Sequence, residues 1–237
     1  MKTGKLFLIP VTLGDEALPQ DVMSEHTLEA IRDIRTFIVE NEKSARHFLK
    51  KAGTRVPMQE LILYPIGKHV QEHETSHYLD AASKGEHIGL LSEAGCPGVA
   101  DPGSFIVKRA HEKNIQVVPL TGPSSLLLAL MASGMNGQQF TFHGYLPMDK
   151  NERVRKIKFI EQDTLKFHTS HIFIETPFRN RQLLDELLAV LKGNVRLCIA
   201  VHLTLPDEWI KTKTIDQWKK GGIPDFHKKP AVFIIGN

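Results

Sequence analysis

Leu90-Leu91-Ser92-Glu93-Ala94-Gly95-Cys96-Pro97-Gly98-Val99-Ala100-Asp101-Pro102-Gly103 and, shortly after it, Val117-Val118-Pro119-Leu120-Thr121-Gly122-Pro123-Ser124-Ser125 decide how this chain folds. Each begins with an apolar run that reads as a buried strand. Each then breaks into Gly, Pro and Ser, and each break leads into a helical pattern. That order puts irregular backbone at the carboxyl ends of parallel strands, where open α/β sheets bind ligands. Glycine lets the backbone approach a ligand closely, and proline fixes the turn.

The same alternation extends upstream. Strands are predicted over 5–9, ending at Pro10, and over 36–39, 60–63, 88–91 and 115–118. Residues 11–20 read as a polar loop. Ser24 is placed to cap a helix whose Leu28, Ile31 and Ile34 keep helical spacing. Further helices are predicted over 44–51, stopped by Gly53, over 75–84, stopped by Gly85, and over 104–111. Strands alternating with helices imply a parallel sheet with right-handed crossovers. After Leu120 the pattern changes. An apolar helix over 124–131 closes at Gly134, and a strand follows over 140–142. Then come a basic helix over 151–160, a strand over 172–174 and an amphipathic helix over 181–191 closed by Gly193. A strand over 195–201, a β extension over 209–215 and a buried strand over 231–235 complete the chain. This divides it into an N-terminal α/β domain with a parallel sheet, 1–120, and a C-terminal α/β domain, 121–237.

Composition limits the function classes. At 237 residues and 41% hydrophobic content, the chain can bury a real core. No apolar run approaches the ~20 residues of a membrane span; the longest, 124–135, is broken by Ser133 and Gly134. No basic-then-apolar leader is visible, so the reading is a cytoplasmic protein with no membrane partner. Cys96 and Cys198 form neither a disulfide framework nor a Cys-x-x-Cys pair. Twelve histidines are scattered without a His-Glu-x-x-His helix. His69, His73 and His77 share a face if their stretch is helical, but Pro65 and Gly67 point to a loop. They read as a solvated polar face, and no metal site is expected. The net charge of +3 permits an RNA partner without demanding one. The densest basic clusters, 150–158 and 211–220, also read as solvated helix faces.

In a parallel sheet the loops 10–14, 92–103 and 121–125 can converge on one crevice. They offer backbone N–H and C=O groups, hydroxyls, and the carboxylates Glu93 and Asp101. Such a wall suits a zwitterionic, partly apolar ligand. It suits a bare triphosphate or a dinucleotide poorly, since neither Gly-x-x-x-x-Gly-Lys-Ser/Thr nor Gly-x-Gly-x-x-Gly is present. Taken singly, each loop also reads as a tight turn. Asp101, just before Pro102, also reads as a helix-entry cap.

These motifs resemble the tetrapyrrole methylase superfamily, and within it the branch of ribosomal RNA small-subunit methyltransferase I. That branch carries Ser-Asp-Ala-Gly-Thr-Pro, Asp-Pro-Gly and Pro-Leu-Pro-Gly-Pro at the positions of Ser92–Pro97, Asp101–Gly103 and Pro119–Pro123. Pro10-Val11-Thr12-Leu13-Gly14-Asp15 is similar to its Pro-Thr-Pro-Ile-Gly-Asn. Tyr145-Leu146-Pro147 is similar to its Phe-Leu-Pro, and Glu175-Thr176-Pro177-Phe178-Arg179 to its Glu-Ser-x-His-Arg.

The resemblance implies an α/β fold of two α/β domains with a ligand cleft between them, a homodimer, and S-adenosylmethionine as cofactor. It implies cofactor contacts at Pro10, Ser92, Glu93, Ala94, Gly95, Val99, Leu120, Thr121, Gly122, Ser124, Ser125 and Glu175. The implied reaction is in-line methyl transfer to a cytidine 2′-hydroxyl of small-subunit rRNA, which needs alignment, exclusion of water and a base. Glu40 and Glu93 are the candidate catalytic residues that polarise the acceptor. The family's Glu-Asp-Thr-Arg is here Glu40-Asn41-Glu42-Lys43, its His-Asn-Glu is His69-Val70-Gln71, and its Ala-Arg-Glu-Leu-Thr-Lys is Ala200-Val201-His202-Leu203-Thr204-Leu205. These departures strike substrate-side positions and leave two alternatives open. One is a methyltransferase of a small molecule such as a tetrapyrrole, although tetrapyrrole-specific relatives usually carry Gly-Asp-Pro where Gly95-Cys96-Pro97 stands. The other is a homologue that binds the cofactor without catalysis.

Overall fold

The apolar runs of the first half become five parallel strands: β1 (Lys5–Ile9), β2 (Thr36–Val39), β3 (Ile62–Pro65), β4 (Ile88–Leu91) and β5 (Gln116–Pro119), in the order β3-β2-β4-β1-β5. The structure, a computed structural model, describes residues 3–67, 70, 72–223 and 225–237. It divides into two compact units, Met1–Ser124 and Ser125–Asn237.

In the first unit, β2 and β4 are buried along their whole length, as strands covered on both faces must be. Successive side chains serve opposite layers. Phe37, Val39, Ile9 and Leu91 pack with α2 (Glu25–Arg32) and α3 (Glu42–Ala52). Ile38, Leu6, Ile88 and Leu90 pack with α4 (Asp80–Ser83) and α5 (Ser104–Glu112). A short α1 (Pro19–Val22) precedes α2. Ser24 caps α2, its hydroxyl accepting from the Thr27 N–H at 3.2 Å. Asn41 caps α3, its Oδ1 accepting from the N–H groups of Lys43 and Ser44. Gly53 ends α3 in the left-handed conformation, φ 79°.

The second unit is also a five-stranded sheet, but a mixed one. Its strands are β6 (Phe140–Tyr145), β7 (Ser170–Ile174), β8 (Arg196–Val201), β9 (Trp209–Thr214) and β10 (Ala231–Gly236), in the order β6-β7-β10-β8-β9. β6 and β7 are parallel, and the remaining pairs are antiparallel. The helices are α6 (Ser125–Ser133), α7 (Lys150–Phe167), α8 (Asn180–Val190) and α9 (Ile215–Lys220). Phe173 and Phe233 stack at 5.8 Å in a core shared with Ile157, Ile160, Leu184 and Trp218.

Three expectations are corrected. The helix expected over 75–84 is a 3₁₀ turn, Glu72–Thr75, followed by the short α4. Tertiary bonds set the break: Arg109 donates to the Thr75 hydroxyl at 2.8 Å, and the Tyr78 hydroxyl donates to the Pro65 carbonyl at 2.9 Å. Gly193 does not close α8, which ends at Val190 with Leu191 as its cap. A Cβ at position 193 would sit 2.3 Å from the Asp216 carboxylate, an exposed side chain free to swing aside. Asp101 does not cap α5; Gly103 does, with φ 118°. Of the histidine run, His69 lies outside the described residues, as does Gln71. His73 lies in the 3₁₀ turn, and His77 packs edge-on against Tyr64 at 5.3 Å. Among the described residues no helix is long and apolar enough to cross a membrane.

Candidate active site

In the first unit, β1 leads to helices on one face of the sheet and β4 to a helix on the other. The loops leaving these neighbouring strands therefore part at their carboxyl ends, the place where doubly wound sheets hold ligands. The two loops are tied before they part. Val11 N–H donates to the Gly95 carbonyl at 2.9 Å, and Gly95 N–H donates to the Val11 carbonyl at 3.0 Å. The Ser92 hydroxyl, buried, also donates to the Gly95 carbonyl, at 2.5 Å. Gly95 holds φ 77°, a conformation that a side chain resists.

The loop after β5 joins them. Leu120 N–H donates to the Leu8 carbonyl at 2.9 Å, which extends the β1–β5 ladder into the loop. Thr27 on α2 donates its hydroxyl to the Thr121 carbonyl at 2.9 Å. The Cys96 thiol donates to the Pro123 carbonyl at 3.6 Å. Gly122 rests against Pro10 so closely that a Cβ would lie 2.6 Å from the proline Cβ. Pro10, Ser92, Gly95, Thr121 and Gly122 thus meet in one loop cluster, with Leu120 and Ser124 at its edges. Beside it lies a small solvent-open cleft of about 60 Å³, walled by Val11, Thr12 and Gly14, by Ser92, Glu93 and Ala94, and by Ser44 and Lys51 on α3. Val99 is exposed further along the β4 loop. Ser125 opens α6 in the second unit, and Glu175 follows β7 there. Glu175 is buried with its Oε1 engaged: it accepts from the Thr176 N–H at 2.7 Å and from Arg179 at 2.7 and 3.1 Å. That makes it a clamp on the turn that presents Arg179.

The carboxylates form a second feature. Glu93 stands exposed at the cleft, its Oε1 accepting from the Ser44 hydroxyl at 2.5 Å. Glu40, at the end of β2, has a buried Oε1 with no donor among the described residues, and the same holds for Asp101 Oδ2. Burial first, then hydrogen bonding to Glu40 and its charge, then the charge of Glu93, push the Asp101 carboxyl up to about 8. Asp101 is therefore mostly protonated at neutral pH beside an acidic neighbour. Sequence reading missed Ser44 and the pairing of Asp101 with Glu40. Nothing local links residue 44 to 93 or 40 to 101.

Asp101 carries a stability prediction. Below about pH 4 this carboxyl is protonated both folded and unfolded. Between about pH 4 and 8 the unfolded chain loses the proton and the folded one keeps it, so stability falls as pH rises through that window. Asp101→Asn removes the titration and supplies a neutral donor to Glu40. Its melting temperature should exceed that of the wild type at pH 8 by an amount worth about 1–2 kcal/mol, the shift being discounted because the carboxyl is partly solvated. The gain should vanish near pH 4. Equal melting curves at pH 8 rule the arrangement out.

Residues 5–218 match the family of Tetrapyrrole (Corrin/Porphyrin) Methylases. Among curated proteins, the chain is 27% identical to the ribosomal RNA small subunit methyltransferase I of Buchnera aphidicola subsp. Schizaphis graminum, over 99% of this chain and 79% of the relative. It is 30% identical to the protein of the same name from Vibrio cholerae, over 87% and 67%. Among solved structures, the methyltransferase CobJ superposes with a TM-score of 0.63 at 19% identity, covering 99% of this chain and 95% of that one. The cobalt precorrin-4 methyltransferase CbiF gives 0.60 at 13% identity, covering 98% and 94%. At such identities the structural likeness speaks for the fold.

Proposed function

This chain belongs to the tetrapyrrole (corrin/porphyrin) methylase family, and from that premise we propose that it is an S-adenosylmethionine-dependent methyltransferase acting on RNA of the small ribosomal subunit, with a cytidine 2′-hydroxyl as acceptor. The observation that carries the reading is the meeting of the β1, β4 and β5 loops through the Val11–Gly95 pair and the Gly122–Pro10 contact. The RNA acceptor rests on the similarity to relatives named for rRNA methylation.

The loop cluster fits the cofactor. Its glycines let the backbone approach a ligand, and Glu93 presents a carboxylate at the open cleft beside the loops. Pro10, Ala94, Gly95, Leu120, Thr121, Gly122 and Ser124 would hold it, with Val99, Ser125 and Glu175 as further contacts carried by the family resemblance. Bound there, the cofactor supplies a methyl group already activated on a cationic sulfur. Ser92 shapes the turn through its bond to Gly95. Glu93 and Glu40 polarise the acceptor hydroxyl. Ser44 holds Glu93 Oε1 and so orients Oε2, which has no partner among the described hydrogen bonds, to take the hydroxyl proton. A homodimer and a cytoplasmic setting belong to the same proposal.

Isothermal titration with S-adenosylhomocysteine tests the cofactor, and transfer of radiolabel to under-methylated small ribosomal subunits tests the acceptor. Binding heat together with label in rRNA is the expected pair. Label confined to a small-molecule pool removes the RNA reading, binding without transfer to any acceptor removes catalysis, and no heat at high micromolar ligand removes the enzyme.

A further inference from the structure

α7 is the basic helix of the second unit. Its buried residues, Arg153, Ile157, Ile160, Glu161 and Thr164, repeat with helical period and face the core. The opposite face has no partner among the described residues. It presents Arg155, Lys158 and Lys166 together with Phe159, 53% exposed, a ring that a soluble helix would ordinarily bury; Phe167, 54% exposed, ends the helix about 80° further round, at 100° per residue. Each ring has an ammonium beside it. Lys156 Nζ lies 5.0 Å from the centre of Phe159, and Lys166 Nζ lies 4.8 Å from that of Phe167. The helix's acids do not neutralise this face. Glu161 is buried and accepts from the Lys192 N–H at 2.6 Å, Asp163 is bonded to His171 at 2.9 Å, and only Glu152 shares the surface, 3.9 Å from Arg155.

We propose that the solvent face of α7 is an RNA docking surface, with Arg155, Lys158 and Lys166 against phosphates and Phe159 and Phe167 as stacking platforms for unpaired bases. The inference rests on the RNA-acting reading given above and names a surface for it. A cationic face repels a second copy of itself and attracts a polyanion. Aromatic rings interleaved with cations are the common equipment for single-stranded nucleic acid. The two rings lie about 12 Å apart along the helix and about 80° apart around it, at 1.5 Å and 100° per residue, so a strand that uses both wraps from Phe159 round to the helix end at Phe167, one base on each ring. A membrane-surface helix would need a continuous exposed apolar face, whereas the apolar stripe of α7 is buried in the core.

Fluorescence anisotropy with a labelled single-stranded oligouridine, read against the intact chain, tests the proposal. Arg155→Glu/Lys158→Glu/Lys166→Glu should weaken binding at least about tenfold and lower the slope of log affinity against log salt by about 2, near 0.7 per lost phosphate contact. Phe159→Ser/Phe167→Ser should weaken binding about tenfold and leave the salt slope unchanged. Both variants should keep the wild-type melting temperature and affinity for S-adenosylhomocysteine. RNA affinities within twofold of the wild type overturn the proposal, as does a wild type that binds no RNA. So does binding confined to phosphatidylserine vesicles, or a wild-type dimer that the phenylalanine variant converts to monomer without loss of RNA affinity. Methyl transfer to under-methylated subunits, measured alongside, separates the two claims. Transfer with unaltered RNA binding in the variants removes the surface and keeps the function; face-dependent RNA binding without any transfer removes the function and keeps the surface.

Discussion

Gly122→Ala is expected to weaken S-adenosylhomocysteine binding at least about tenfold, equivalent to about 1.4 kcal/mol, while the protein stays folded. The new Cβ would stand 2.6 Å from Pro10 Cβ and 3.0 Å from its Cγ. A proline ring is rigid and this one is buried, so the β5 loop must move instead of the ring. That movement pulls Thr121 from the Thr27 hydroxyl and Pro123 from the Cys96 thiol. The wall assembled from three loops is then lost at the point where it closes. Overpacking should also cost about 1–3 kcal/mol of stability. Gly137→Ala is the control, because nothing lies within 4 Å of a Cβ there. Calorimetric titration and thermal melting read both effects, and an unchanged dissociation constant for Gly122→Ala would falsify the cofactor role of this loop.

The second large effect is expected at Arg153. Its side chain is only 9% exposed, and it pairs with Glu186, 10% exposed. The same guanidinium donates to the carbonyls of Pro147 and Met148 at 2.9 and 2.8 Å, and so fixes the turn after Tyr145-Leu146-Pro147. Arg153→Ala leaves a buried carboxylate without its cation and two carbonyls without a donor. The loss should be about 3–5 kcal/mol, because stranding one charge costs far more than removing a pair. The melting temperature should drop by about 6 °C or more. Arg153→Met/Glu186→Leu removes both charges while keeping the volume, and should recover most of that loss. A double variant as unstable as the single one would show that shape, not charge, is what Arg153 contributes.

Local grammar accounts for much of this molecule. The strands of the first unit are short, mostly apolar runs bounded by polar residues, Pro or Gly, and such runs need no distant partner to be recognised. Ser24 caps α2 because a hydroxyl at that offset reaches the third helical N–H whatever the fold around it. Gly53 and Gly134, both at positive φ, end their helices for similarly local reasons. The loop motifs around Gly95 and Gly122 also carried the family resemblance, and the family match over residues 5–218 agrees with it. By contrast, the basic run 211–220, read as a solvated helix face, is helical only over Ile215–Lys220; its first four residues close the strand β9, and Thr214 and Gln217 form the capping box that marks the boundary. The exposed face of α7 was visible only as a run of cations. That its phenylalanines stay outside depends on which stripe the core takes.

The sequence by itself determined where backbone is regular and where it breaks, since hydrophobic period, caps and turn residues act over a few positions. Tertiary structure alone decided what those pieces meet. It set β10 antiparallel between β7 and β8, made the second sheet a mixed one, brought Ser44 to Glu93, and left Asp101 Oδ2 buried beside Glu40. These are contacts between residues tens of positions apart, and their energies depend on burial and on neighbouring charge. Neither exists until the chain has folded.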